Sequence, residues 1–158
     1  MGAADVPAVL DVQEPGAVRA LVSVFPQDTH PFPREEIGQL WLEEIESAEV
    51  DCYVVLVAGQ VAGFAAVRAD ELLHFGVGLE HWGSGLARAA HDTVLDLMRS
   101  RGESTAWLRV FAGNGRGRRF YEKLGWTRTG GASRSDYPPY PELLRYERPL
   151  DGQGRRSP

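Results

Sequence analysis

Apolar residues recur at Val18, Leu21, Val22 and Phe25, the spacing of one helical face, and predict a helix from about Glu14 to Phe25 that Pro26 stops. Upstream, the short run Ala8 to Val12 reads as a first strand. A second helix is predicted over Arg34 to Ser47, with Ile37, Leu40, Trp41 and Ile45 on one face. The pattern then changes period. Cys52 to Ala58 and Val61 to Arg68 are β-branched apolar runs separated by Gly59-Gln60, which predicts a hairpin. Asp70-Glu71 marks another turn and Leu72 to Leu79 another strand, in which Gly76 and Gly78 suggest a bulge or a close approach of ligand to backbone.

Helical spacing returns after Gly83, with Leu86, Ala90, Val94, Leu97 and Met98 on one face and Gly102 as the stop. Thr105 to Ala112 reads as a strand. Strand, helix and strand at this spacing imply a parallel crossover, while the hairpins imply antiparallel neighbours, so the sheet is expected to be mixed. A helix near Arg116 to Leu124 and strands from Trp126 to Gly130 and Leu143 to Arg148 complete the pattern. Ser133 to Pro141, with Tyr137, Tyr140 and three prolines, is expected to be a semi-rigid loop bordering an acceptor site.

Two junctions carry candidate chemistry. From Val77 to Ala87 an apolar run ends in Gly83-Ser84-Gly85 and opens a helix, where free N–H groups and the positive end of the helix dipole favour an anion. From Asn114 to Gly125 a short helix carries Tyr121 and ends in Tyr-Glu-Lys-Leu-Gly. No Gly-Lys-Ser/Thr follows the first glycines, and Arg88 stands where a third dinucleotide-fingerprint glycine would fall, which excludes a P-loop and a Rossmann site.

Together, these junctions resemble the acyl-CoA signature of the GCN5-related N-acetyltransferases (GNAT family), over about Val54 to Leu150. The resemblance implies an α/β (α+β) fold with a central mixed, mostly antiparallel sheet flanked by helices, filling residues 1–150 as one domain before a disordered tail at 151–158. It implies acetyl-CoA as co-substrate, with Phe75, Gly76 and Val77 offering backbone to the pantetheine arm. Gly83, Ser84, Gly85, Leu86, Ala87 and Arg88 would hold the pyrophosphate. Asn114 would lie near the cofactor, and Tyr121 would protonate the leaving thiolate.

The base stays open. Some members carry a glutamate five residues before the asparagine, where this chain has Arg109; Glu71 and His74 lie where others place a base, and a water chain competes with both. The implied reaction is acetyl transfer to a primary amine of a small molecule or protein. The alternatives are a longer acyl donor or a non-catalytic acyl-CoA-binding module.

Bulk properties narrow the class. With 158 residues, 43% of them apolar, the chain fits one domain able to fold without staples. A formal net charge of −5 argues against a general nucleic-acid binder. The acidic run from Asp28 to Asp51, broken only by Arg34, reads as a solvated face or as a hint of a cationic acceptor. Cys52 is the only cysteine, so no intrachain disulfide forms, and the four histidines show no metal-ligand spacing with it. No metal is expected. No run approaches the ~20 apolar residues of a membrane span, and a cytoplasmic protein, compatible with a homodimer, is expected.

Overall fold

The computed structural model describes residues 1–151. One sheet of six strands, in the order β1-β2-β3-β4-β6-β5, organises them. The strands are β1 (Asp51–Val57), β2 (Gln60–Arg68), β3 (Glu71–Val77), β4 (Thr105–Phe111), β5 (Thr127–Arg134) and β6 (Glu142–Pro149). Four α-helices accompany them: α1 (Val6–Ala20), α2 (Arg34–Glu46), α3 (Leu86–Ser100) and α4 (Gly115–Lys123). The β3–β4 pair is parallel and every other pair antiparallel. The expected mixed, mostly antiparallel sheet is therefore present.

The expected strand at Ala8 to Val12 is instead the middle of α1, whose Val6, Val9 and Leu10 share a buried face. The helix expected over about Glu14 to Phe25 begins eight residues earlier, passes through Pro15 and ends at Ala20, well before Pro26. Both predicted turns sit one residue earlier. Ala58 and Gly59 have φ of 51° and 75° and close the first hairpin, and Ala69 with φ of 50° opens the second. Glu71 therefore begins a strand rather than ending a turn.

The strand expected to run to Leu79 ends at Val77, and Leu79–His81 form a 3-10 turn. The irregularity in β3 lies opposite Ala66 and Val67, not at the glycines. Gly76 answers to packing instead: a Cβ there would come within 2.7 Å of the Phe64 ring. The final hairpin strand, expected to stop at Gly130, continues to Arg134 because the Gly130-Gly131 step is absorbed by a bulge between Arg128 and Ala132. Ser133 and Arg134 thus leave the predicted loop. Of the predicted tail, 152–158 lie outside the described residues.

Two apolar clusters flank the sheet. Ala65, Val67, Leu72, Val94, Leu95, Met98, Ala106, Leu108 and Val110 form one with Trp126 and Tyr146. Val6, Val9, Leu10, Trp41, Phe64 and Ala66 form the other, beneath α1 and α2. Among the described residues, no helix is long and apolar enough to cross a membrane.

Candidate active site

The parallel pair β3–β4 is joined by little: the Cα register records only Glu71 opposite Trp107, and the Trp107 N–H donates to the Asp70 carbonyl at 2.9 Å. Beyond that point the strands part. β3 keeps its ladder to β2 through Gly63–Val77, while its other edge faces a cavity of about 630 Å³. Unpaired strand N–H and C=O groups in a cleft are a ready partner for an extended, amide-containing ligand.

The cavity brings together most of the residues singled out by sequence. His74, Phe75, Gly76, Val77, Gly83, Gly85, Ala87, Arg88, Asn114 and Tyr121 all line it. Glu71, Ser84 and Leu86 do not appear in that lining. At its mouth, Gly83 and Gly85 take φ of 77° and 89°, and a Cβ at either would meet nothing within 4 Å. The backbone there is left-handed and open, so a ligand can come against it. The N–H groups of Ala87 and Arg88, in the first turn of α3, lack intrahelical acceptors. Ser84 is spent internally: its hydroxyl donates to the His81 carbonyl at 2.6 Å and accepts from the Leu86 N–H at 3.3 Å. The Arg88 side chain is 74% exposed and only 4.0 Å from Asp92, free to meet an anion.

Sequence reading missed the opposite wall of the mouth. The Trp82 indole donates to the Val77 carbonyl at 3.2 Å, and the Arg116 guanidinium lies 3.8 Å from the Trp82 ring centroid. This cation–π contact links the α3 loop to the start of α4. Asn114 caps α4, its Oδ1 accepting from the Gly117 N–H at 2.9 Å. Tyr121, two turns further on, packs edge-on against Phe120 and Trp126 at 5.3 and 5.9 Å. Burial pushes its phenol well above the ordinary tyrosine range, so it stays protonated at neutral pH.

Below Tyr121, His91 is fully buried, and the Trp126 indole donates to its Nε2 at 2.9 Å. Since an indole only donates, Nε2 is the acceptor and Nδ1 carries the proton, donated to Asp92 at 3.0 Å. Burial lowers the His91 pKa. No sequence spacing pointed to this pair, which joins α3 to the residue preceding β5.

The two candidate bases differ in setting. Glu71 is buried and accepts from Arg68 at 2.7 Å and Arg109 at 3.4 Å. His74 rests edge-on against Trp41 at 5.0 Å, and its Nε2 donates to Glu44 at 2.9 Å. That bond leaves Nδ1 as the basic atom. Beside this face, α2 and Tyr137 border a groove of about 680 Å³ lined by Glu35, Glu36 and Glu43 as well as Arg34. Among the described residues no three His, Cys, Asp or Glu side chains cluster as metal ligands.

A family model described as "Acetyltransferase (GNAT) family" matches residues 17–126. The chain belongs to the GNAT acetyltransferase family. No curated protein matches it. Solved structures share the GNAT fold: the ribosomal-protein-S18-alanine N-acetyltransferase from Escherichia coli is 22% identical with a TM-score of 0.69, over 100% of this chain and 96% of that one. The PaiA N-acetyltransferase from Thermoplasma acidophilum, in complex with coenzyme A, is 15% identical with a TM-score of 0.74, covering 92% of this chain and 94% of that one. Ard1 from Thermoplasma volcanium is 24% identical with a TM-score of 0.65, covering 94% and 93%. GNAT members are acyl-CoA-dependent acetyltransferases, and the open β3 edge, the α3 loop and Tyr121 are disposed along one cavity of this GNAT sheet.

Proposed function

We propose that the chain is an acetyl-CoA-dependent N-acetyltransferase acting on a primary amine. The observation that carries the reading is the continuous cavity running from the α3 loop along the free edge of β3 to Tyr121. Its parts fit the co-substrate: left-handed glycines and first-turn N–H groups suit a pyrophosphate, and an unpaired strand edge suits the amides of a pantetheine arm.

Acetyl-CoA supplies the thioester. His74 Nδ1 takes a proton from the acceptor ammonium, since Nε2 is committed to Glu44. The amine nitrogen bonds to the acetyl carbon and loses its second proton to solvent, the carbon–sulfur bond breaks, and the Tyr121 phenol gives its proton to the departing sulfur before solvent restores it. Glu71 is the weaker candidate because two guanidiniums occupy its carboxylate and it does not line the cavity.

Two measurements test the reading. Acetyl-CoA should raise the melting temperature where ATP and NAD do not, and a panel of amines should release free CoA thiol from acetyl-CoA. Stabilisation without thiol release, from acetyl-CoA or a longer acyl-CoA, would make the chain an acyl-CoA-binding module instead.

A further inference from the structure

α1 lies over β2 and β3 and α2 over β1, and neither makes an extended contact with β4 or β6 among the described residues. Neither helix covers that half of the sheet face; the segment between them reaches it at Phe111, where Phe25 packs edge-on at 5.3 Å. Along β4, Ala106, Leu108 and Val110 enter the core, so Trp107, Arg109 and Phe111 take this face by strand alternation. Directly across, Arg145 of β6 stands opposite Arg109. Two like charges at that register are unfavourable by themselves.

The neighbours hold the two arginines differently. Arg145 stacks 4.1 Å from the Trp107 ring centroid and donates from Nε to Glu147 at 2.9 Å. Gly131 makes room for it, since a Cβ there would come within 3.1 Å of the Arg145 Cδ. Arg109 is held far less: of its five N–H donors, one reaches Glu71 at 3.4 Å, while Glu71 takes its shorter bond from Arg68. Its side chain is 40% exposed, and it lines the same cavity as His74 and Tyr121. A guanidinium with free donors beside the reaction centre is a fork for a carboxylate or phosphate. Glu71, Glu147 and Asp70 balance the charges of Arg68, Arg109 and Arg145, so Arg109 offers a ligand unused donors rather than surplus charge, which suits a carboxylate better than a doubly charged phosphate.

Resting on the N-acetyltransferase reading, we propose that Arg109, backed by Arg145, binds a carboxylate of the acceptor, so that the enzyme selects amines that also carry a carboxylate, such as amino acids. The acceptor's ammonium then lies toward His74 and Glu44 and its carboxylate against Arg109. This arrangement gives the arginine at this position a role in selecting substrate rather than moving protons.

The test compares kcat/KM for ω-amino carboxylates of increasing length with that for n-alkylamines of the same length, with aminoalkyl phosphates and spermidine as further arms. At the best length the amino carboxylate should lead its alkylamine by about 10-fold or more. Arg109→Gln should reduce that ratio about 10- to 100-fold, Arg109→Lys less, and Arg145→Gln several-fold without touching the partner of Glu71. A ratio near one in the wild type, or one unchanged in Arg109→Gln, overturns the proposal. So does a lead for the phosphates or for spermidine. If Arg109→Gln does not fold, an unchanged ratio in Arg145→Gln overturns it equally. Failure of every amine to release thiol overturns the N-acetyltransferase reading and this one together, whereas turnover without a carboxylate advantage overturns this one alone.

Discussion

His91 should make the fold sensitive to mild acid. The imidazole is fully buried, its Nε2 accepts from the Trp126 indole, and burial lowers its pKa. In the unfolded chain the same group titrates near 6.5. The unfolded state therefore binds a proton that the folded state refuses, so the contribution is fully present above about pH 6.5 and is lost as pH falls below it. One proton limits the slope to about 1.4 kcal/mol per pH unit, hence to about 2 kcal/mol between pH 6.5 and 5. In a chain of this length, that is a fall of at most about 4–8 °C in Tm. Because other groups titrate too, the informative quantity is the difference between wild type and His91→Gln, whose amide oxygen still accepts from Trp126. Urea midpoints of both proteins from pH 5 to 8 give that difference directly. The wild type should lose its advantage toward pH 5, and a difference that does not vary with pH would refute the reasoning.

Tyr121→Phe removes only a hydroxyl and should lower kcat by roughly 10²-fold with acetyl-CoA binding retained; steady-state kinetics with calorimetric titration check it, and wild-type turnover would reduce the residue to packing. Gly85→Val forces a β-branched residue to φ of 89° and crowds the anion loop, so acetyl-CoA affinity should fall at least about 10-fold by the same titration. His74→Ala should lower kcat/KM by roughly 10²-fold while acetyl-CoA affinity by the same titration stays near that of the wild type. Glu71→Gln should instead lower the urea midpoint, because Arg68 and Arg109 lose a buried counter-charge.

The strands and the helices α2, α3 and α4 were readable because each buries a face whose period shows in a short window. α1 was not, since Pro15-Gly16 mimics a boundary and only packing of Val6, Val9 and Leu10 under the sheet overrides it. In the site, Gly83, Gly85 and Tyr121 could be located because local backbone and helix spacing fix them. Glu71 was misplaced into a turn by a shift of one residue. The stack of Arg116 on Trp82, the bond between Trp126 and His91, and the pairing of Arg109 with Glu71 join residues more than 30 positions apart, and no local pattern encodes them.

A strand edge left without a partner usually invites another chain to add itself, and proteins guard such edges. Here the bare edge of β3 is recessed beside β4 of its own sheet, in the cleft rather than at the outer rim where a second polypeptide would add itself. On the proposed reading, the co-substrate would behave as a removable seventh strand. Amide hydrogens of Leu73 to Val77 that point into the cleft should exchange readily in the free protein and slow sharply when acetyl-CoA is added. The two halves of the sheet, joined at Glu71 and Trp107, would thus be stitched together only during the catalytic cycle.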